Sequence, residues 1–276
     1  MLTENWKPAG TGGHASRGWA VVVRQPRIVA GLLETFRADA GWRDARSWER
    51  VRAGKSFPPP RASPAADDYP ARFEPQAFAV GGVELVRAPD DAERRVVALL
   101  DDATESIRVE QMEAGGPNQP FVRAALRAAR RGVDVRILLS SAWYVREDNR
   151  AVVQWLNRRA DREDLPLSAR LADPNGRFEK IHAKGVIVDG DQVLVGSLNW
   201  NNNSARHDRE VALLLDGEGV AGYYARVFCA DWQGGIWRLT VGVAFVAAVT
   251  ALAAALVGRR ISFEDERATG VGPGRR

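Results

Sequence analysis

The stretch IHAKGVIVDGDQVLVGSLNWNNNSARHDRE, residues Ile181 to Glu210, decides how this chain is read. Its apolar runs, Gly185–Val188 and Val193–Val195, are short and β-branched, and Asp189-Gly190-Asp191 between them is turn chemistry, so the segment predicts strand, tight turn, strand. Side chains two apart on a strand project to the same face. His182 and Lys184 therefore share one face, and Ser197 and Asn199 share one on the neighbouring segment. Four polar groups converge on one patch of an otherwise apolar hairpin.

Working outward, strands and helices alternate from Gly81 to Trp232. Strands are expected at Val83–Arg87, Ser106–Met112, Val133–Leu139, Leu167–Leu171 and Val211–Leu215. Helices are expected at Asp90–Asp102, Gln119–Arg131, Asn149–Arg159 and Val220–Trp232. This alternation implies an α/β sandwich. Residues 43–80 carry Pro58, Pro59, Pro60, Pro64, Pro70 and Pro75 without apolar periodicity and read as an extended linker. Before it lies part of an internal repeat. Asn5-Trp6 matches Asn199-Trp200 at an offset of 194, and Arg17, Ala20, Phe36, Ala38 and Asp39 match Arg209, Ala212, Phe228, Ala230 and Asp231 at an offset of 192. Val21–Val23 falls on Leu213–Leu215, so a strand followed by a helix is expected there too.

The central stretch resembles the HKD motif of the phospholipase D superfamily, H-x-K-x4-D-x6-G-S-x-N, with His182, Lys184, Asp189, Gly196, Ser197 and Asn199 at the required spacing. The residue types suit that chemistry. Lys184 is a cation for phosphate, and Ser197 and Asn199 are neutral donors for a phosphorane-like transition state. His182 can attack phosphorus or protonate a leaving oxygen. Glu210 is placed to hold the imidazole tautomer, as carboxylates do for catalytic histidines. Asp189 in the turn is assigned a structural role with Gly196. The resemblance implies a phospholipase D-like α/β/α sandwich, a phosphohistidine intermediate, no metal and no cofactor. It also implies that two motifs, from two repeats or two subunits, build one site. Asn5 then ends a first motif in which Leu2-Thr3 replaces Gly196-Ser197, and Asn5 joins Ser197 as a substrate-binding residue. The matching first histidine would lie upstream of Met1. His14 falls in the loop after the motif and cannot substitute, and Gly18 stands where Glu210 stands.

These readings divide the chain into a remnant of a first repeat (1–42), the linker (43–80), a full repeat (81–233), a transmembrane helix (236–258) and a basic tail (259–276). The run Leu239–Gly258 has twenty residues without charge, and as a helix it would span about 30 Å, enough to cross a bilayer. Trp237 precedes it, and a tail with five Arg against three acidic residues follows, which places the tail in the cytoplasm and the catalytic domain outside. The sequence starts without an export signal, so the expected protein is a two-repeat enzyme lacking about a hundred amino-terminal residues. A single cysteine, Cys229, excludes an intrachain disulfide and a cysteine-based zinc cluster, and three histidines leave little for a metal site. The formal charge of +4 is compatible with an anionic partner. The leading expectation is a membrane-anchored, metal-independent phosphodiester hydrolase acting on phospholipid or nucleic acid. Two alternatives stand beside it: a nuclease working as a homodimer, and a non-catalytic remnant that binds phosphate through Lys184 and Asn199. Trp143, Tyr144 and Trp200 read as core aromatics at strand ends, with lining of the pocket entrance as the alternative, and Asn201–Asn203 as a turn, with substrate contact by its amides as the alternative.

Overall fold

The computed structural model describes residues 1–5, 16–57 and 73–234. Met1–Trp232 form one unit, and of the second, Gln233–Arg276, only the first two residues are described. The expected transmembrane helix and basic tail lie outside the described residues, as do His14 and the prolines from Pro58 to Pro70. Among the described residues no helix is long and apolar enough to cross a membrane.

In chain order the elements are β1 (Ser16–Arg17), α1 (Pro26–Ala40), α2 (Trp48–Arg52), β2 (Gly82–Ala88), α3 (Ala92–Asp101), β3 (Ser106–Gln111), α4 (Pro120–Arg130), β4 (Asp134–Leu139), α5 (Arg146–Glu163), β5 (Leu167–Leu171), β6 (Lys180–Ile181), β7 (Lys184–Val188), β8 (Gln192–Gly196), α6 (Asn202–Arg206), β9 (Glu210–Asp216) and α7 (Glu218–Gln233). A seven-stranded sheet runs β2-β9-β8-β7-β3-β4-β5. The β3-β4-β5 half is parallel and the β2-β9-β8-β7 half antiparallel, with β7 antiparallel to β3.

Period-two alternation on the strands builds the two faces. Val186 and Val188 join α3, α4 and α5 in one core. Ile187, Val193 and Val195 face the other way, into a second core with Trp19, Ile28 and the α7 residues Val220, Tyr224 and Phe228. Helices on both faces give the expected α/β/α layering. Local chemistry sets the helix ends. Gln119 caps α4 by accepting from Val122 N at 2.8 Å, Pro120 starts it, and Gly132 at φ 95° ends it. Helix α5 is longer than expected: Glu147 and Asp148 extend its first turn, and Asp164 in the left-handed region stops it. The linker also differs from expectation, since α2 forms one helical turn capped by Ser47.

The amino-terminal segment reproduces part of the later repeat in detail. Thr3 N donates to Trp19 O (3.0 Å), and Trp19 N donates to Thr3 Oγ1 (2.8 Å). At the equivalent positions Ser197 N donates to Val211 O (2.9 Å), and Val211 N donates to Ser197 Oγ (3.0 Å). The bridge Leu2↔Ala20 corresponds to Gly196↔Ala212, and α1 falls on α7 at the offset of 192. The two segments also exchange ion pairs. Arg17 Nε binds Asp231 at 2.7 Å, while its counterpart Arg209 Nε binds Asp39, the counterpart of Asp231, at 3.0 Å. Reciprocal contacts of this kind define a two-fold relation. The expected strand at Val21–Val23 does not form. Val21 N reaches Met1 O (2.9 Å), but Val22 and Val23 have no strand partner among the described residues, whereas their counterparts on β9 lie between β2 and β8.

Candidate active site

The site lies where the chain changes partners. Strand β6 pairs with β1, and two residues later β7 pairs with β3. His182 occupies that break rather than the strand interior expected for it. Its amide donates to Arg17 O (2.9 Å), while Ala183 O accepts from Met112 N (3.0 Å). His182 and Lys184 still converge. Lys184 Nζ lies 2.9 Å from His182 Nδ1 and donates to His182 O (2.9 Å) and Thr3 O (3.2 Å). Thr3 O is also 2.9 Å from His182 Nδ1.

Nδ1 cannot both donate to Thr3 O and accept from Lys184. Lys184 has two carbonyl acceptors without it, so the consistent assignment puts the proton on Nδ1, aimed at Thr3 O. The lone pair then sits on Nε2. Both residues are deeply placed, 8% and 5% exposed. Burial pushes the Lys184 ammonium down to about 8, opposed by the negative charges of Glu4, Glu210 and Glu113.

Glu210 begins β9 and accepts from Ser204 Oγ (3.1 Å). Burial raises its carboxyl, with hydrogen bonds from Ser197 and Ser204 and the Lys184 charge pulling it back. The carboxylate beside the imidazole is that of Glu4, whose Oε2 is 3.5 Å from His182 Nδ1. Ser197 closes the end of β8 by its bonds to Val211. Gly196 allows this close approach: a Cβ there would lie 2.3 Å from Val211 O and 2.4 Å from Ala212 Cα. Asp189, at φ 50° in the β7–β8 turn, accepts from Thr104 N and Oγ1, Glu105 N and Ser106 N at 2.8–2.9 Å. Those backbone donors hold its carboxyl low against the raising effect of burial, and it joins the hairpin to β3. Asn199 is partly buried, and Asn5 is exposed at the edge of the described segment.

Several neighbours carry no motif signal. Asn149 on α5 is fully buried, and its Nδ2 donates to Met112 O (2.9 Å) and Ser140 O (2.8 Å), tying the ends of β3 and β4. Asn201 does not form a simple turn. It caps α6 through Ser204 N (2.7 Å) and donates to Glu113 Oε1. Trp200 is fully buried against Phe121, as expected of core, but Trp143 is 83% exposed and stacks edge-on with Tyr144. The loop after β4 turns them outward. Burial first, then the charges of Glu4, Glu113 and Glu179, pushes the Tyr144 hydroxyl up, which puts this loop at the acidic margin of the site. Glu4 was recoverable from sequence only by noticing that Gly18 leaves the first repeat without a carboxylate. No group of acidic, histidine or cysteine side chains suited to a metal occurs among the described residues.

The family profile described as "Cardiolipin synthase, PLD-like domain" matches residues 96–232. Cardiolipin synthase A of Yersinia pseudotuberculosis serotype O:1b (strain IP 31758) is 32% identical over 111 residues, 40% of this chain and 21% of that protein, so the match spans about a fifth of the relative's length. The same figures hold for cardiolipin synthase A of Yersinia pestis bv. Antiqua (strain Angola). Among solved structures, the phospholipase D family member Nuc of Salmonella typhimurium is similar at 25% identity and a TM-score of 0.45, over 55% of this chain and 94% of its own. NucT of Helicobacter pylori is similar at 18% identity and a TM-score of 0.46, over 55% and 96%. The HKD spacing, the buried His182–Lys184 pair on an α/β/α sheet and the family profile converge: residues 96–232 form a domain of the phospholipase D superfamily.

Proposed function

We propose that the chain is a phosphodiesterase acting on phospholipid through a phosphohistidine on His182. The observation that carries this reading is the buried His182–Lys184 pair, with Nδ1 directed at Thr3 O and the lone pair on Nε2. Nε2 attacks phosphorus, and a P–N bond forms as the P–O bond to the departing alcohol breaks. The alcohol takes a proton from an acid on the opposite side. Water or a second alcohol then gives a proton to that group, forms the new P–O bond and releases His182. Lys184 neutralises the phosphoryl oxygens, with Ser197 and Asn199 as neutral donors.

The acid opposite belongs, in this proposal, to a first motif whose closing part is residues 1–42. Support comes from the Thr3–Trp19 pairing, which repeats Ser197–Val211, and from the exchanged ion pairs. A second copy of the chain is the alternative donor. Phospholipid is preferred to nucleic acid because the matching profile and the curated relatives carry the name cardiolipin synthase, and because Glu4, Glu113 and Glu179 make the margin acidic, which opposes a polyanion. The uncharged run Leu239–Gly258 supports anchoring to a bilayer.

The test is release of a labelled head group from phospholipid vesicles by the full chain, beside nicking of plasmid DNA. Head-group release that persists in EDTA, and that His182→Ala lowers by about 10⁴-fold or more, is the expected result. Plasmid nicking that falls steeply with salt while vesicles are untouched would overturn the substrate. Turnover unchanged in His182→Ala would overturn the mechanism.

A further inference from the structure

Two of the differences between the two related segments compensate each other. The later segment has Leu198 in its core and Glu210 on β9. The earlier one has Glu4 at the counterpart of Leu198 and Gly18 at the counterpart of Glu210. In space the exchange is direct. A Cβ built on Gly18 would lie 2.5 Å from both Cγ and Oε1 of Glu4. The Glu4 side chain thus fills the room that a side chain at 18 would take. It is 9% exposed, and Oε2 lies 3.5 Å from His182 Nδ1. A glutamate serving only solubility would not be buried against an imidazole and an ammonium.

We infer that Glu4 is the positioning carboxylate of His182, delivered from the motif end of the amino-terminal segment because position 18 has none. The inference rests on the reading of His182 as the reacting group. With Thr3 O it favours the Nδ1–H tautomer and stabilises the imidazolium, and Gly18 is required as the space it occupies. Position 18 and position 4 therefore form one unit: glutamate at 4 demands glycine at 18, and glutamate at 18 would free position 4 for an apolar residue, as at Leu198 and Glu210.

The experiment uses the full chain in detergent, with His182 followed by imidazole NMR titration and turnover followed against pH. Glu4→Gln is expected to lower the His182 pKa, move the acid limb of kcat/KM to lower pH and reduce kcat about 10²-fold. Gly18→Ala is expected to behave like Glu4→Ala, because the new methyl displaces Glu4, and to add nothing in the Glu4→Ala background. Glu4→Leu with Gly18→Glu is expected to recover most of the activity that Glu4→Leu loses. Unchanged His182 titration in Glu4→Gln overturns the inference, as does an additive effect of Gly18→Ala on Glu4→Ala. If the wild-type chain turns over no phosphodiester, the functional reading fails, and the titration still decides whether Glu4 holds His182.

Discussion

Asp231→Asn and Asp39→Asn remove the same partner from the two exchanged ion pairs, yet the surroundings predict very different losses. The Asp231 carboxylate is fully buried and takes Arg17 Nε at 2.7 Å and Arg177 Nη1 at 2.9 Å, both from side chains 16% exposed. Removing its charge leaves two nearly buried guanidinium groups short of their counter-charge, a loss of about 3–5 kcal/mol. Asp39 is 41% exposed, and without it Arg209 keeps Asp90 and Ala88 O. That loss is at most about 1 kcal/mol. A domain of this size shifts about 2–4 °C per kcal/mol, so Tm should fall by about 6–20 °C for Asp231→Asn and by about 4 °C or less for Asp39→Asn. Glu110, fully buried on β3, refines the expectation. Burial pushes its carboxyl well up, the Asp231 charge adds to this, and Arg17 and Arg177 pull it back. With Asp231 neutral, Glu110 ionises more readily and takes over part of the pairing. Asp231→Asn should therefore be more damaging in a Glu110→Gln background, with a coupling of about 0.5–3 kcal/mol. Urea titrations of the four variants at pH 7 give the numbers. Equal losses at Asp39 and Asp231, or a milder loss in the Glu110→Gln background, would refute the reasoning.

Glu110 also predicts a pH dependence. A carboxyl raised in the folded state stabilises fully below its unfolded value and loses that contribution as pH rises through the folded value. Glu110→Gln should be more stable than wild type at alkaline pH, with a flatter curve above pH 5 in urea melts. Lys184, down to about 8, should lose its charge as pH rises past that value; inhibition by inorganic phosphate should weaken there, and Lys184→Arg should carry phosphate binding to higher pH by calorimetry. Asp189→Ala removes the acceptor of four donors and should lower stability by about 1–3 kcal/mol in urea melts, with kcat per folded molecule within a few-fold of wild type. Gly196→Ala should prevent the Ser197–Val211 closure, measured as loss of Ser197 and Val211 amide protection in hydrogen exchange.

What the sequence made readable follows from how local each signal is. Strand β5 was placed to the residue, and β2, β3, β4, β7, β8 and β9 within a residue or two, because short apolar runs between turn residues carry their own boundaries. The His182–Lys184 spacing predicted convergence correctly even though His182 lies outside the strands, since the break preserves the facing of residues two apart. Glu4 was out of reach by spacing, because its partner is 178 positions away and its meaning comes from an absence at Gly18. Val21–Val23 have strand-forming residues, but among the described residues Val22 and Val23 find no strand partner, and β structure requires one. Trp143 shows the reverse error. Its aromatic ring suggested core, but the loop after β4 presents it to solvent.

The amino-terminal segment has a consequence for the order of assembly. Thr3 meets His182 across 179 positions, and Arg17 meets Asp231 across 214. Contacts this distant in the chain form late, after the local hairpins and the parallel β3-β4-β5 unit, because their loop-closure entropy must be overcome first. During synthesis, Thr3 and Arg17 are made well before His182 and Asp231, and wait for them before they reach their places. Until then the imidazole lacks Thr3 O and Glu4, and the His182 amide lacks Arg17 O. Chemical competence should therefore lag behind secondary structure in refolding, and the interval between the two measures how long the chain exists as a folded sheet without a working centre.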